Sequence, residues 1–317
     1  MRALVFTRPG EVELRDEPPP VAGAGEALIR VHSSGICGSE LHGFRQAGMR
    51  TPPLIMGHEF AGVDEDGRHV VVNPLITCGH CAACQRGRPS VCATRQLLGV
   101  HRAGGFAEYV AVPKSAMHEL PDALPWASAA IIEPLANAVH ALNLVGDPHG
   151  SIGIVGGGSI GLLTFLVARS RGFDVVVAEP SDVRRDQAER LGATVVADLV
   201  SYDGEFAVTV DAVGNPAARH AALEQLAPGG SSVWIGLAGG ETTIEANDIV
   251  RSEKRILGSF AYNDDEFVDA VRLVASLDLD WVTAIPMADS ARVFMELAGG
   301  RSDIVKAVLD LSPPENS

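Results

Sequence analysis

Gly156-Gly157-Gly158-Ser159-Ile160-Gly161 stands between a short apolar run, residues 152–155, and an apolar stretch of helical length, residues 160–169. A chain that crowds glycines between a strand and a helix has few folds open to it. The glycines permit a tight turn and a close approach of backbone to a pyrophosphate, and the helix N-terminus adds free N–H groups and a positive dipole. Alone, G-x-G-x-x-G is a weak pattern. The predicted strand before it and helix after it give it meaning. Glu179 ends the next predicted strand, residues 175–177, where a carboxylate can accept both hydroxyls of an adenosine ribose.

The alternation continues. Ser181 is placed to cap a helix that Gly192 ends. Residues 194–196 and 207–210 read as strands. A helix over 217–226 is closed by Pro228-Gly229-Gly230, and strands follow at 232–237 and 256–260. Repeated βαβ of this kind predicts a parallel sheet covered on both faces, a doubly wound Rossmann domain. Its cofactor is expected to be NAD, because Glu179 repels a 2′-phosphate. Arg184 and Arg185 lie near enough to attract one, so NADP is the alternative.

Net charge is −15, which disfavours nucleic acid and anionic membranes as partners; a dinucleotide needs only one local site. Residues 151–168 carry no charge and are long enough to cross a bilayer, but their glycines read better as strand, turn and helix. The first ten residues lack a signal-peptide pattern, and a cytoplasmic location is expected.

The chain has five cysteines. Cys78, Cys81, Cys84 and Cys92 are spaced to wrap one tetrahedral Zn²⁺, and four protein ligands leave no room for substrate. That predicts a structural zinc, with an Fe–S cluster as the alternative. The surrounding third of the chain reads as β-rich, with strands near 3–6, 28–32, 70–72 and 106–112, before a helical pattern over 126–144. Two helical stretches and a strand at 306–311 close the chain, ahead of a frayed end at 313–317. The expected division is 1–145 with 263–317, mainly β, and 146–262, the Rossmann part.

The fifth cysteine lies in Gly35-Ile36-Cys37-Gly38-Ser39-Glu40-Leu41-His42, followed by Gly57-His58-Glu59 and later Ile131-Ile132-Glu133-Pro134. With the four-cysteine lobe and the glycine turn, these elements run in an order that resembles the zinc-containing medium-chain dehydrogenases, on the polyol (sorbitol) and threonine dehydrogenase side. The resemblance covers nearly the whole chain. It implies a GroES-like catalytic domain beside the Rossmann domain, two zinc ions per subunit, and hydride transfer between a secondary alcohol and NAD. A small-molecule alcohol or carbonyl partner and a homodimer or homotetramer are implied with it.

The same resemblance assigns roles. Cys37 and His58 would bind the catalytic zinc. Glu59 would be a third ligand, or swing on and off. Glu133 would bind zinc or hold its water. Ser39 would touch the substrate oxygen and His42 pass a proton to solvent. Glu179 and Arg184 would flank the adenosine ribose, while Gly236-Leu237 and Ala261-Tyr262 would run beside the nicotinamide. A zinc with an open position is a Lewis acid that eases loss of the alcohol proton. Phe44, Met49, Leu98 and His101 are candidate pocket residues.

Two departures stand out. Asp64-Glu65-Asp66-Gly67 replaces a longer segment with a short turn. Glu40 stands where the family has Asp, and its extra methylene puts the orientation of His58 in question. Competing readings are a zinc-free reductase on the same scaffold, a non-catalytic NAD-binding relative and a zinc hydrolase with Glu59 as base. The zinc-free reductase needs none of the metal residues, the non-catalytic relative has no need of Ser39 and His42, and the hydrolase leaves the dinucleotide site unexplained.

Overall fold

The computed structural model describes every residue except Gln46, Ala47, Met49, Asp122, 147–149 and 313–317. Met49 and the end of the chain, singled out above, therefore lie outside the described residues. The chain divides into two compact units, Met1–Glu133 with Asn263–Ser317, and Pro134–Tyr262.

In the first unit the strands are β1 (Arg2–Arg8), β2 (Glu11–Asp16), β3 (Glu26–Gly35), β4 (Leu54–Ile55), β5 (Glu59–Val63), β6 (His69–Val72), β7 (Leu75–Ile76), β8 (Gln96–Leu97), β9 (Tyr109–Pro113) and β10 (Met117–Glu119). Short helices α1 (Gly38–Gly43), α2 (Ala82–Gln85) and α3 (Trp126–Ala129) join them. The largest sheet runs β10-β6-β5-β3, then continues through two strands near the chain's end, Lys306–Asp310 and Val282–Pro286, with β9 also pairing β3. Apolar residues of the strands, Leu4, Phe6, Ile29 and Phe60, are buried in one core with Phe106 of a loop and Phe294 of a helix near the chain's end, each side chain contributing roughly 1.5–3 kcal/mol. The long strand β3 sets the site. Its last residue, Gly35, pairs with Glu59 of β5 on one side and Val308 on the other.

The shortened turn is a finished hairpin. Asp64 Oδ1 accepts the N–H groups of Asp66 and Arg68, and Oδ2 accepts Arg68 Nε at 2.8 Å. No predicted ligand lies in it.

The second unit is built on a parallel six-stranded sheet of β11 (Ile152–Val155), β12 (Val175–Ala178), β13 (Thr194–Val196), β14 (Phe206–Asp211), β15 (Leu226–Trp234) and β16 (Arg255–Gly258). Their order is β13-β12-β11-β14-β15-β16, all pairs parallel. The order reverses between β11 and β14, which is where such sheets bind ligands. Helices α4 (Ile132–Asn143), α5 (Ser159–Ser170), α6 (Asp182–Arg190), α7 (Pro216–Glu224) and α8 (Ala246–Arg251) accompany it. The remaining elements belong to the first unit: α9 (Asp264–Leu273), β17 (Val282–Pro286), α10 (Ser290–Ala298) and β18 (Lys306–Asp310).

Two local features depart from the sequence pattern, and a third connection adds to it. The helix expected over 126–144 is two, α3 and α4, and all of α4 after Glu133 belongs to the second unit, whereas the division above put residues up to 145 in the first. Pro228-Gly229-Gly230 does not close α7; it lies inside β15, where the register against β14 shifts. The crossover from β13 to β14 holds only a 3₁₀ turn, Leu199–Ser201, with Leu199 fully buried and Tyr202 stacked on Phe206 at 5.0 Å.

Candidate functional site: two zinc sites and a dinucleotide turn

Cys37 caps α1 from an extended conformation, φ −96° and ψ 148°. The turn is tied by Glu40, whose Oε2 accepts the Cys37 N–H at 3.0 Å. The other oxygen, Oε1, accepts the Gly57 N–H at 2.9 Å and meets His58 Nδ1 at 2.9 Å. The extra methylene of Glu40 therefore does not cost the carboxylate its histidine. With Nδ1–H donating to Glu40, His58 keeps Nε2 for a metal. Burial pushes the Glu40 carboxyl up, but His58, Arg50 and the Cys37 N–H outweigh it, and the net shift is down.

The ligand atoms of Cys37, His58 and Glu59 lie within 4.8 Å of one another. Glu59 is fully buried. One oxygen pairs with the Lys306 ammonium, and the other, Oε1, has no hydrogen-bond partner among the described residues. A buried carboxylate oxygen without a donor is costly. A cation at this thiolate–imidazole–carboxylate set removes that cost, and the mixed S/N/O donors suit Zn²⁺. Lys306 also donates to the Ile36 carbonyl at 3.1 Å. Burial presses its ammonium toward neutrality, yet the Glu59 and Cys37 charges win and raise its pKa.

Glu133 is buried in the first turn of α4 and, among the described residues, stands outside this three-residue group. Ser39 and His42 are exposed on α1. Phe44 and Leu98 are not pocket residues: both are buried in the hydrophobic core, Phe44 packing edge-on against Phe294 at 5.2 Å. His101 is exposed and accepts the Leu97 N–H through Nδ1.

Cys78, Cys81, Cys84 and Cys92 form the second cluster. Their sulfurs stand 3.6 Å apart for Cys81–Cys84 and Cys92–Cys78, and 4.0 Å for Cys78–Cys84. Zn–S bonds of about 2.3 Å set tetrahedral sulfurs about 3.8 Å apart, so these spacings fit a zinc and exceed any disulfide. Hydrogen bonds at Cys78 and from Thr94 draw the Cys92 thiol down to about 6, while burial pushes Cys84 up to about 11. Four thiols sharing one site ionise together only around a cation.

In the second unit, Gly156 takes a left-handed φ of +104° at the end of β11. A Cβ on Gly161 would stand 1.8 Å from the Gly156 carbonyl oxygen, so the helix can pack this close to the turn only with glycine there. Gly158 caps α5, Ser159 and Ile160 opening its first turn. Glu179 is buried, its Oε2 accepting the Gly157 N–H at 2.8 Å and its Oε1 the Ser181 N–H at 2.9 Å. Each oxygen keeps a lone pair for a further donor. Arg185 is spent on the Glu179 and Pro180 carbonyls and on Asp182, whereas Arg184 is exposed. Gly236 follows β15, and Leu237 is exposed. Ala261 holds φ +50°, unusual for a non-glycine, and Tyr262 is buried.

Sequence reasoning missed Lys306 and Arg50, both buried. A lysine opening the 306–311 strand, directly before apolar Ala307-Val308-Leu309, was a signal; nothing in the pattern around Arg50 was.

Comparison with known proteins agrees with this geometry. The family model for the alcohol dehydrogenase GroES-like domain matches residues 23–122, and that for zinc-binding dehydrogenases matches 159–276. An L-threonine 3-dehydrogenase of Pyrococcus horikoshii is 37% identical over 79% of this chain and 80% of its own length. An L-galactonate-5-dehydrogenase of Escherichia coli is 31% identical over 98% of both chains. The crystal structure of a zinc-binding dehydrogenase from Sinorhizobium meliloti bound to NADP superposes with a TM-score of 0.90 at 31% identity, covering 98% of each chain. The chain belongs to the zinc-binding, medium-chain alcohol dehydrogenase family. It is a zinc-dependent oxidoreductase that works with a nicotinamide dinucleotide, and no helix among its described residues is long and apolar enough to cross a membrane.

Proposed function

We propose that this enzyme oxidises a small secondary alcohol of the polyol, cyclitol or amino-alcohol type with NAD, using Cys37, His58 and Glu59 as the catalytic zinc ligands. The observation that carries the ligand assignment is the unpartnered, buried Glu59 Oε1 beside Cys37 and His58. When bound, zinc supplies Lewis acidity to the alcohol oxygen and the nicotinamide accepts the hydride.

The chain's own residues do the rest. Glu40 fixes the imidazole of His58 and the backbone of Cys37 together, so two ligands share one support. Lys306 anchors one Glu59 oxygen and leaves the other for the metal. Ser39, exposed at the start of α1, is the hydroxyl that meets the reacting oxygen, and exposed His42 hands the proton to solvent. Glu133 holds water or substrate near the metal instead of binding it directly. Cys78, Cys81, Cys84 and Cys92 hold the structural zinc. The turn with Gly156, Gly158, Ser159, Ile160 and Gly161 takes the pyrophosphate, and buried Glu179 takes the ribose hydroxyls. Because Arg185 is committed to the Glu179 and Pro180 carbonyls and to Asp182, exposed Arg184 is the one of this arginine pair left for a 2′-phosphate; this favours NAD over NADP. Gly236, Leu237, Ala261 and Tyr262 border the nicotinamide.

The relatives named for L-threonine and L-galactonate support a small, multiply polar alcohol as substrate. The outer strand β16 and exposed Leu237 and Val250 support pairing into a homodimer or homotetramer. NAD reduction by zinc-replete protein is to be followed across L-threonine, L-galactonate, 2,3-butanediol and a cyclitol. Turnover of at least one with NAD preferred to NADP is expected; activity that persists in Cys37→Ala protein stripped of zinc would sink the assignment.

A further inference from the structure

Arg50 is among the largest fully buried side chains, at 1% exposure. A buried guanidinium ordinarily meets a carboxylate, because an uncompensated charge is expensive to desolvate. Here the buried Glu40 carboxylate balances the charge through space, while the hydrogen bonds of Arg50 among the described residues go to three neutral oxygens. Nη1 donates to the Ser39 carbonyl at 3.0 Å, Nη2 to Ser39 Oγ at 3.3 Å and Nε to the Gly99 carbonyl at 3.3 Å. Two of the three grip one residue, by backbone and hydroxyl at once. Room for the grip comes from Gly43 at the end of α1, where a Cβ would stand 2.4 Å from Arg50 Nη1.

The chemistry of that contact is one-directional. Arginine only donates, so Ser39 Oγ must accept from it. The hydroxyl's single O–H is thereby turned away from Arg50, and Ser39 is exposed. A fixed positive charge also lies directly behind the oxygen. Both effects favour negative charge developing on an oxygen that the hydroxyl touches, and a group already oriented needs no reorganisation during the reaction.

We propose that Arg50 is a positioning residue for hydride transfer: it holds Ser39 with its proton directed at the reacting oxygen and places a buried cation behind that hydroxyl. This rests on the reading that Ser39 meets the reacting oxygen. It separates Arg50 from Lys306, which serves the metal ligand Glu59, and gives the substrate side a buried cation of its own.

The test is a double-mutant cycle of Ser39→Ala and Arg50→Gln. Steady-state kcat and KM are measured with NAD and whichever of L-threonine, L-galactonate or 2,3-butanediol the parent oxidises fastest, alongside zinc content and NADH affinity. Ser39→Ala should lower kcat. Arg50→Gln should lower kcat roughly 10- to 100-fold, with zinc content and NADH affinity unchanged. In the Ser39→Ala background the same change should cost less than about threefold, because the two act as one unit. Arg50→Lys, which keeps the charge without the fork, should recover part of the rate. If Arg50→Gln protein is insoluble, Gly43→Ala displaces the guanidinium from the other side and should reproduce the kcat loss. Full multiplication of the two losses, an unchanged kcat in Arg50→Gln, or loss of zinc on that change would overturn the proposal. A Ser39→Ala enzyme with parental kcat would instead remove the reading beneath it.

Discussion

Replacing Glu40 by Gln probes the support of the catalytic site without touching a proposed ligand. The carboxylate is fully buried and accepts from Cys37 N–H, Gly57 N–H and His58 Nδ1 at 2.9–3.0 Å. Glutamine has one oxygen. If it serves Gly57 and His58, its NH₂ faces the Cys37 N–H, donor against donor; the flipped amide moves the conflict to the other side. A buried donor left without an acceptor costs about 1–3 kcal/mol, and loss of the anionic acceptor adds about 1 kcal/mol more. The expected fall in stability is thus about 2–4 kcal/mol. Losing the carboxylate behind a metal-bound histidine weakens metal affinity about 10- to 100-fold. Zinc retained after dialysis against graded chelator, together with thermal unfolding in excess zinc, separates the two effects. Glu40→Asp keeps the charge and should fall between parent and Glu40→Gln. Zinc affinity within about twofold of the parent, with stability within about 0.5 kcal/mol, would refute the claim that Glu40 braces both Cys37 and His58.

Cys81→Ser should remove the structural zinc alone: metal content is expected to drop by one equivalent per chain, with NADH binding retained, as read by elemental analysis and fluorescence titration. Lys306→Met leaves Glu59 buried without its cation, so a stability loss of about 3–5 kcal/mol is expected in metal-free protein, lessened when zinc is added. Gly161→Ala forces a methyl against the Gly156 carbonyl oxygen; about 1–3 kcal/mol should be lost and NADH affinity should fall, measured by melting and titration. Glu179→Ala frees two backbone N–H groups, Gly157 and Ser181, and should raise the Kd for NAD while narrowing its lead over NADP.

Much of this molecule could be read before its structure. The glycine turn announced a parallel, doubly wound sheet, because strand, turn and helix are local and the glycine requirement is steric. The cysteine spacing announced a zinc lobe for the same reason: four ligands lie within one loop. What resisted reading was long-range. Lys306 meets Glu59 only because β18 pairs with β3 at the residue that β5 also pairs with, Gly35. Arg50 reaches Ser39, eleven positions earlier, by a contact that no periodicity predicts. Phe44 and Leu98 looked like pocket residues because apolar side chains near a site serve pocket and core alike; burial alone separated them. The break between α3 and α4 was hidden by the apolar run Ala129–Ile132, and the 3₁₀ turn that buries Leu199 between β13 and β14 is too short to carry a period.

The central claim is that hydride transfer here depends on zinc held by Cys37, His58 and Glu59. Its most direct measurement is the zinc content and alcohol-dependent NAD reduction of Cys37→Ala protein beside the parent, with NADH binding measured on both. The parent should carry two zinc ions per chain and turn over. The variant should carry one, bind NADH equally well and lose at least about a thousandfold in kcat. A Cys37→Ala enzyme that holds one zinc fewer yet reduces NAD at the parental rate would contradict the account.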